Sequence, residues 1–161
     1  MNLENFFEDL EVAFEARLGE TSNLGAFVDS SLLEIVLCDG RRFTLAAPIV
    51  GLDFCGGAAL DQSAWTMVLL KEVQRIEPVA MRIRAGEPTR FSGFSASEIL
   101  EGLKLPASIR WVNHGSDQVA VGQLLGQHQQ VLVVESAEHD VFLLPLASLA
   151  ILELLAVNNL G

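Results

Sequence analysis

The chain has 161 residues, half of them hydrophobic, with 21 acids against ten Lys and Arg for a net charge of −11. That length suits one domain or two very small ones, and the acidity repels phosphate backbones and anionic membranes taken as a whole. Two cysteines, Cys38 and Cys55, are too few for a disulfide framework, so both read as reduced, buried thiols.

The first element is a helix. In NLENFFEDLEVAFEARLG, the residues Leu3, Phe6, Phe7, Leu10, Phe14 and Leu18 recur at steps of three and four, the mark of one apolar face. Glu4, Glu8, Glu11 and Glu15 occupy the other side, and Asn2 can cap the start. Phe6, Phe7, Leu10 and Phe14 are therefore candidate partner-binding residues. Their face either packs on the chain's own domain or docks on a partner or a second copy. The acidic N-terminus lacks the basic region of a signal peptide, which points to a cytoplasmic protein.

From residue 31 the pattern turns to strands. LLEIVLCDG reads as a strand ending at an Asp39-Gly40 turn. RRFTLAAPIVG alternates through Phe43, Leu45 and Ala47, with Pro48 marking an edge strand or a bend. Gly51, Gly56 and Gly57 read as further turns. WTMVLL, from Trp65 to Leu70, is a third strand, and VQRIEP closes the unit at Pro78.

A connector follows over residues 80–106. Its GEPTRFSGFSA piece reads as a loop. SASEILEGLKLP offers Ser95 or Ser97 as the cap of a short helix that Pro106 cannot extend. Arg82, Arg84, Arg90, Phe91 and Phe94 in this connector form a candidate nucleic-acid patch, since cations and stacked aromatics hold single strands.

The C-terminal portion repeats the earlier order. SIRWVNHG ends at His114-Gly115, DQVAVGQLLGQ parallels RRFTLAAPIVG, and VLVVES and HDVFLLPLASLAIL follow. Gly40 to Gly115 spans 75 residues and Val73 to Leu149 spans 76, a near-constant offset that predicts two related β-units. The apolar run from Phe142 to Val157 is shorter than the ~20 residues that cross a bilayer. With Pro145 and Glu153 inside it, it reads as a buried strand plus a terminal element, so no membrane partner is expected. The expected fold is mainly β with an N-terminal α-helix and two SH3-like or Sm-like small β-barrel units in pseudo-repeat. Its segments are an acidic helix and linker over 1–30, a first β-unit over 31–79, the connector, and a second β-unit over 107–161.

The segments LENFFEDLEVAFEARL, LCDGRRFTLAAPIVGLDF and VFLLPLASLAIL resemble an uncharacterised actinobacterial family that pairs an acidic N-terminal helix with a small barrel. Automated labels sometimes call that family a Fis-type regulator. The resemblance implies no catalytic residues, and no helix-turn-helix pattern supports the label.

Little chemistry is legible elsewhere. His114, His128 and His139 are not spaced as zinc ligands, and His139-Asp140 with Glu135 and Glu138 reads as an exposed turn. There is no GxxxxGK[ST], no GxGxxG after a strand and no nucleophile elbow. No metal, cofactor or catalytic residue is expected. The resulting expectation is a non-enzymatic protein-interaction or assembly module that binds a protein partner or itself. The alternative is a regulator that contacts RNA or the transcription machinery through a barrel face, which the net charge disfavours.

Overall fold

The computed structural model describes residues 30–61, 63–79 and 89–155. The segment expected to form the N-terminal helix, with Phe6, Phe7, Leu10 and Phe14, lies outside them, as do Arg82 and Arg84. In chain order the first elements are β1 (Leu32–Leu37), β2 (Arg42–Val50), β3 (Phe54–Ala59), β4 (Ala64–Leu69), a 3-10 turn (Leu70–Glu72) and β5 (Val73–Pro78). The two-residue β6 (Arg90–Phe91) and the helix α1 (Ala96–Glu101) follow. The remainder is β7 (Ala107–Asn113), β8 (Val119–His128), β9 (Val131–Ser136), β10 (Val141–Pro145), a second 3-10 turn (Leu146–Ser148) and β11 (Leu149–Leu155).

All eleven strands belong to one open sheet in the order β10-β9-β8-β7-β11-β4-β3-β2-β1-β5, with β6 added in parallel beside β2. The other pairings are antiparallel, and one pairing pattern occurs twice. β5-β1-β2-β3-β4 runs at one end of the sheet and β11-β7-β8-β9-β10 at the other, each with a 3-10 turn before its last strand. The two series meet where β11 pairs with β4, Ile151 opposite Val68, Leu152 opposite Met67 and Leu154 opposite Trp65.

The turns explain how the strands are spaced. Leu37 N–H donates to the Arg41 carbonyl (2.8 Å) and Gly40 N–H to the Leu37 carbonyl (2.9 Å). The loop therefore has three residues, with Gly40 at φ +91° in the left-handed region that glycine enters without a steric penalty. The loop from Ser136 to Asp140 is built alike, Ser136 N–H donating to Asp140 and His139 N–H to Ser136, with His139 at φ +68° in the glycine's place. Pro48 sits on an inner strand. The register of β2 against β3 shifts between Ala46 and Ile49, and this bulge absorbs the missing N–H.

Two of the expected turns are strand. Gly56 and Gly57 lie inside β3. A Cβ on Gly56 would stand 2.5 Å from the Trp65 ring, and one on Gly57 would stand 2.8 Å from the Ala46 carbonyl oxygen. These glycines are there for close approach, and the sequence pattern of turns does not distinguish the two uses. The helix α1 begins as expected: Ser95 caps it, its hydroxyl accepting from Glu98 N–H while the Glu98 carboxylate accepts from Ser95 N–H.

Among the described residues the core forms two clusters, and each crosses the β4–β11 joint. One gathers Trp111, Leu124, Leu132, Val134, Leu144 and Leu152 from the second series with Phe54, Met67 and Leu69 from the first. The other gathers Leu33, Ile35, Leu45 and Val68 with Val112, Ala150 and Ile151. Among the described residues no helix is long and apolar enough to cross a membrane.

Candidate interaction surface

The outermost strand β10 carries the most exposed apolar row. Phe142 and Leu144 point into the first cluster, so by alternation Val141, Leu143 and Pro145 face outward. Val141 is 58% exposed and Leu143 67% exposed. Among the described residues the strand's outer hydrogen-bonding side is open as well. Ser136 N–H donates to the Asp140 carbonyl and Leu146 N–H to the Gln130 carbonyl. Hydrogen-bonded pairs alternate along an antiparallel ladder, so Asp140, Phe142, Leu144 and Leu146 bond toward β9. Val141, Leu143 and Pro145 turn their backbone groups away from it. A strand edge that is both apolar and unpaired is a template for another strand.

The opposite edge, β5, has different character. Val79 N–H donates to the Leu32 carbonyl, and the β1–β5 register runs from there through Glu34–Glu77 and Val36–Arg75. Ile76 and Pro78 therefore present their backbone groups to the open side. Arg75 and Glu77 on this strand are ion-paired at 2.6 Å.

The candidate nucleic-acid residues within the described range lie on the connector. Arg90 and Phe91 form β6 on β2, and Phe94, exposed, follows three residues later. Of the other arginines that could extend a basic patch, Arg41 pairs with Asp39 at 2.7 Å, Arg42 with Glu34 at 2.5 Å and Arg75 with Glu77. Each guanidinium has a carboxylate beside it, which removes most of its local field. The Arg41 backbone N–H, helped by the Arg41 guanidinium, holds the Asp39 carboxyl below its ordinary range.

The cysteines differ from expectation in one respect. Cys55 is buried, and burial pushes its thiol up to about 12, which leaves almost no thiolate to react. Cys38 is exposed, because it opens the three-residue loop after β1 instead of ending the buried strand. A thiol reagent at neutral pH should modify one cysteine per native chain and two in denaturant. Two modified in the native state would mean that Cys55 is reached. The linked pH effect has a definite sign. The unfolded Cys55 thiol ionises near its ordinary 9.0 while the folded one stays protonated to about 12, so stability falls as pH rises between these values.

The histidines do not converge. His114 Nδ1 meets Glu72 Oε1 at 2.5 Å, and His139 Nδ1 meets Glu135 Oε1 at 3.4 Å. Among the described residues no three His, Cys, Asp or Glu side chains are grouped to hold a metal ion. An open cleft of about 350 Å³ lies between the two 3-10 turns. Its charged groups are already engaged: Asp53 accepts from Ala96 N–H at 2.7 Å, and the Lys71 ammonium donates to the Ala147 carbonyl.

No family model, curated protein or solved structure matches this chain.

Sequence reasoning missed the outward row on β10, because HDVFLLPLASLAIL reads as uniformly buried. The available signal was Pro145. A proline within an apolar strand pattern belongs to an edge or a bulge, and Pro145 and Pro78 lie on the two edge strands.

Proposed function

We propose that this protein is a non-enzymatic, cytoplasmic protein-interaction or assembly module, built from two small SH3-like or Sm-like β-units. The observation that carries the reading is the β10 edge, where Val141 and Leu143 are largely exposed on a strand whose outer backbone groups have no partner among the described residues. Isolated exposed apolar residues are ordinary. An apolar row on an open edge invites aggregation unless a partner covers it.

The test compares the wild-type chain with Leu143→Lys as baits. A partner isolated with the first is purified and its affinity for both is measured. The reading expects binding at least about tenfold weaker to the variant, or roughly 1.4 kcal/mol. Equal binding would remove β10 from the interaction. The same preparation should show negligible affinity for generic single-stranded RNA at about 150 mM salt, where surface electrostatics is screened within ~8 Å. Micromolar RNA binding, abolished by changing Arg82, Arg84 and Arg90 to Ala, would instead favour the RNA-contacting regulator.

A further inference from the structure

We propose that copies of this chain assemble head to tail, β10 of one copy taking β5 of the next in the register that joins β4 to β11 within the chain. This rests on the interaction-module reading and names its partner. Because the pairing pattern occurs twice in the sheet, each strand of one series has a counterpart in the other. β4 corresponds to β10 and β5 to β11, and the two 3-10 turns, Leu70–Glu72 and Leu146–Ser148, fix the offset at 76 residues. The chain thus already contains one junction between a fourth strand and a fifth strand, the β4–β11 joint. Its two open edges are the remaining fourth and fifth strands, β10 and β5.

Burial at equivalent positions shows what the second junction would cover. Trp65 and Met67 on β4 correspond to Val141 and Leu143 on β10. Met67 is 0% exposed because β11 and the core behind it close over the strand, while Leu143 is 67% exposed. Transferring the internal register by 76 residues sets Leu143 opposite Ile76 of the next copy, as Met67 is opposite Leu152. Val141 then falls opposite Pro78, as Trp65 is opposite Leu154.

The backbone groups agree with that register. Leu143 and Ile76 both present N–H and C=O to the open side, so they can exchange two hydrogen bonds. Val141 N–H can donate to the Pro78 carbonyl, and the donor missing at Pro78 is the only loss in that pair. Ile76 and Val73 pack, partly buried, at the rim of the second cluster. Val141 and Leu143 would extend that cluster as Trp65 and Met67 extend the first. Arg75 would lie opposite Leu144 where β11 has Ile151. Its aliphatic stem can cover the leucine while the guanidinium stays in water. A junction between unlike edges repeats, closing into a ring if the rotation per copy permits and running on as a filament otherwise.

The test uses the full chain and measures mass in solution by sedimentation. Leu143→Lys alters a largely exposed side chain on β10. Ile76→Pro removes the outward N–H of β5, and Arg75→Glu, an exposed change that sets a carboxylate beside Leu144, serves the same purpose if Ile76→Pro does not fold. Wild type is expected to assemble at micromolar concentration, and each single-edge variant to run as a monomer. An equimolar mixture of a β10 variant with a β5 variant retains one intact edge of each kind, and should form a one-to-one dimer and nothing larger. A monomeric wild type overturns the proposal, and so does a mixture that stays monomeric. Assembly that survives the β5 variants and is lost only with Leu143→Lys overturns it in favour of a symmetric β10–β10 pair. A monomeric wild type that still binds a foreign protein through β10 refutes self-assembly alone and leaves the interaction module standing.

Discussion

Gly57→Val should be strongly damaging, lowering stability by about 3 kcal/mol or more, the upper end for overpacking. The new Cβ would lie 2.8 Å from the Ala46 carbonyl oxygen and 2.9 Å from the Leu45 Cβ. The first contact is with backbone, so no side-chain rotation relieves it. β2 would have to move off β3 at the place where its register already shifts between Ala46 and Ile49. Gly56→Ala supplies the contrast. Its Cβ would meet the Trp65 ring, the far part of a half-buried side chain, which can yield. Urea denaturation of the two variants measures the difference. Near-equal loss would mean that β2 and β3 separate easily, and that the glycines are there for some other reason.

Met67→Ala is expected to cost about 2–5 kcal/mol, the range for truncating a buried methionine, and to weaken both ends of the sheet together. Met67 belongs to the first series by sequence, yet its side chain lies in the cluster of Trp111, Leu132 and Leu144. Val68 beside it packs with Val112 and Ile151. With both clusters crossing the joint, the described body should unfold in one transition, and the variant should shift that transition without splitting it. Replacing either tryptophan by phenylalanine isolates the emission of the other, since Trp65 and Trp111 lie on opposite sides of the joint. Non-coincident melting of Trp65 and Trp111, which both pack in the first cluster, would show that the two sides of the joint come apart independently.

Much of the strand layout was legible because it follows from local rules. The apolar run LLEIVL, the alternation in RFTLA, the glycine turns at Gly40 and Gly115, and the Ser95–Glu98 capping pair each act within a few residues. Other features required knowing which strands become neighbours. Gly56 and Gly57 look like turn residues until Trp65 and Leu45 are set against them. Val141 and Leu143 look like core until β10 is placed at the sheet edge, with no strand on its far side among the described residues. The joint depends on side chains separated by 44 to 83 positions, Met67 and Trp111 being 44 apart and Val68 and Ile151 83 apart, and no window of periodicity spans such distances. The candidate helix face and the two arginines at 82 and 84 lie outside the described residues, so the structure adds nothing to them.

The sharing of cores across β4 and β11 also governs the order in which the protein can be made. When synthesis has passed β5, the first series has all its strands, but Phe54, Met67 and Leu69 still lack the residues that cover them. Those arrive only with β7 to β11, and the partner strand of β4 is complete at Leu155, 86 residues after Leu69. Pairings of such long sequence separation form late. The nascent chain must therefore carry an uncovered apolar edge for most of that interval, the kind of surface on which chaperones act and unfinished chains stick together.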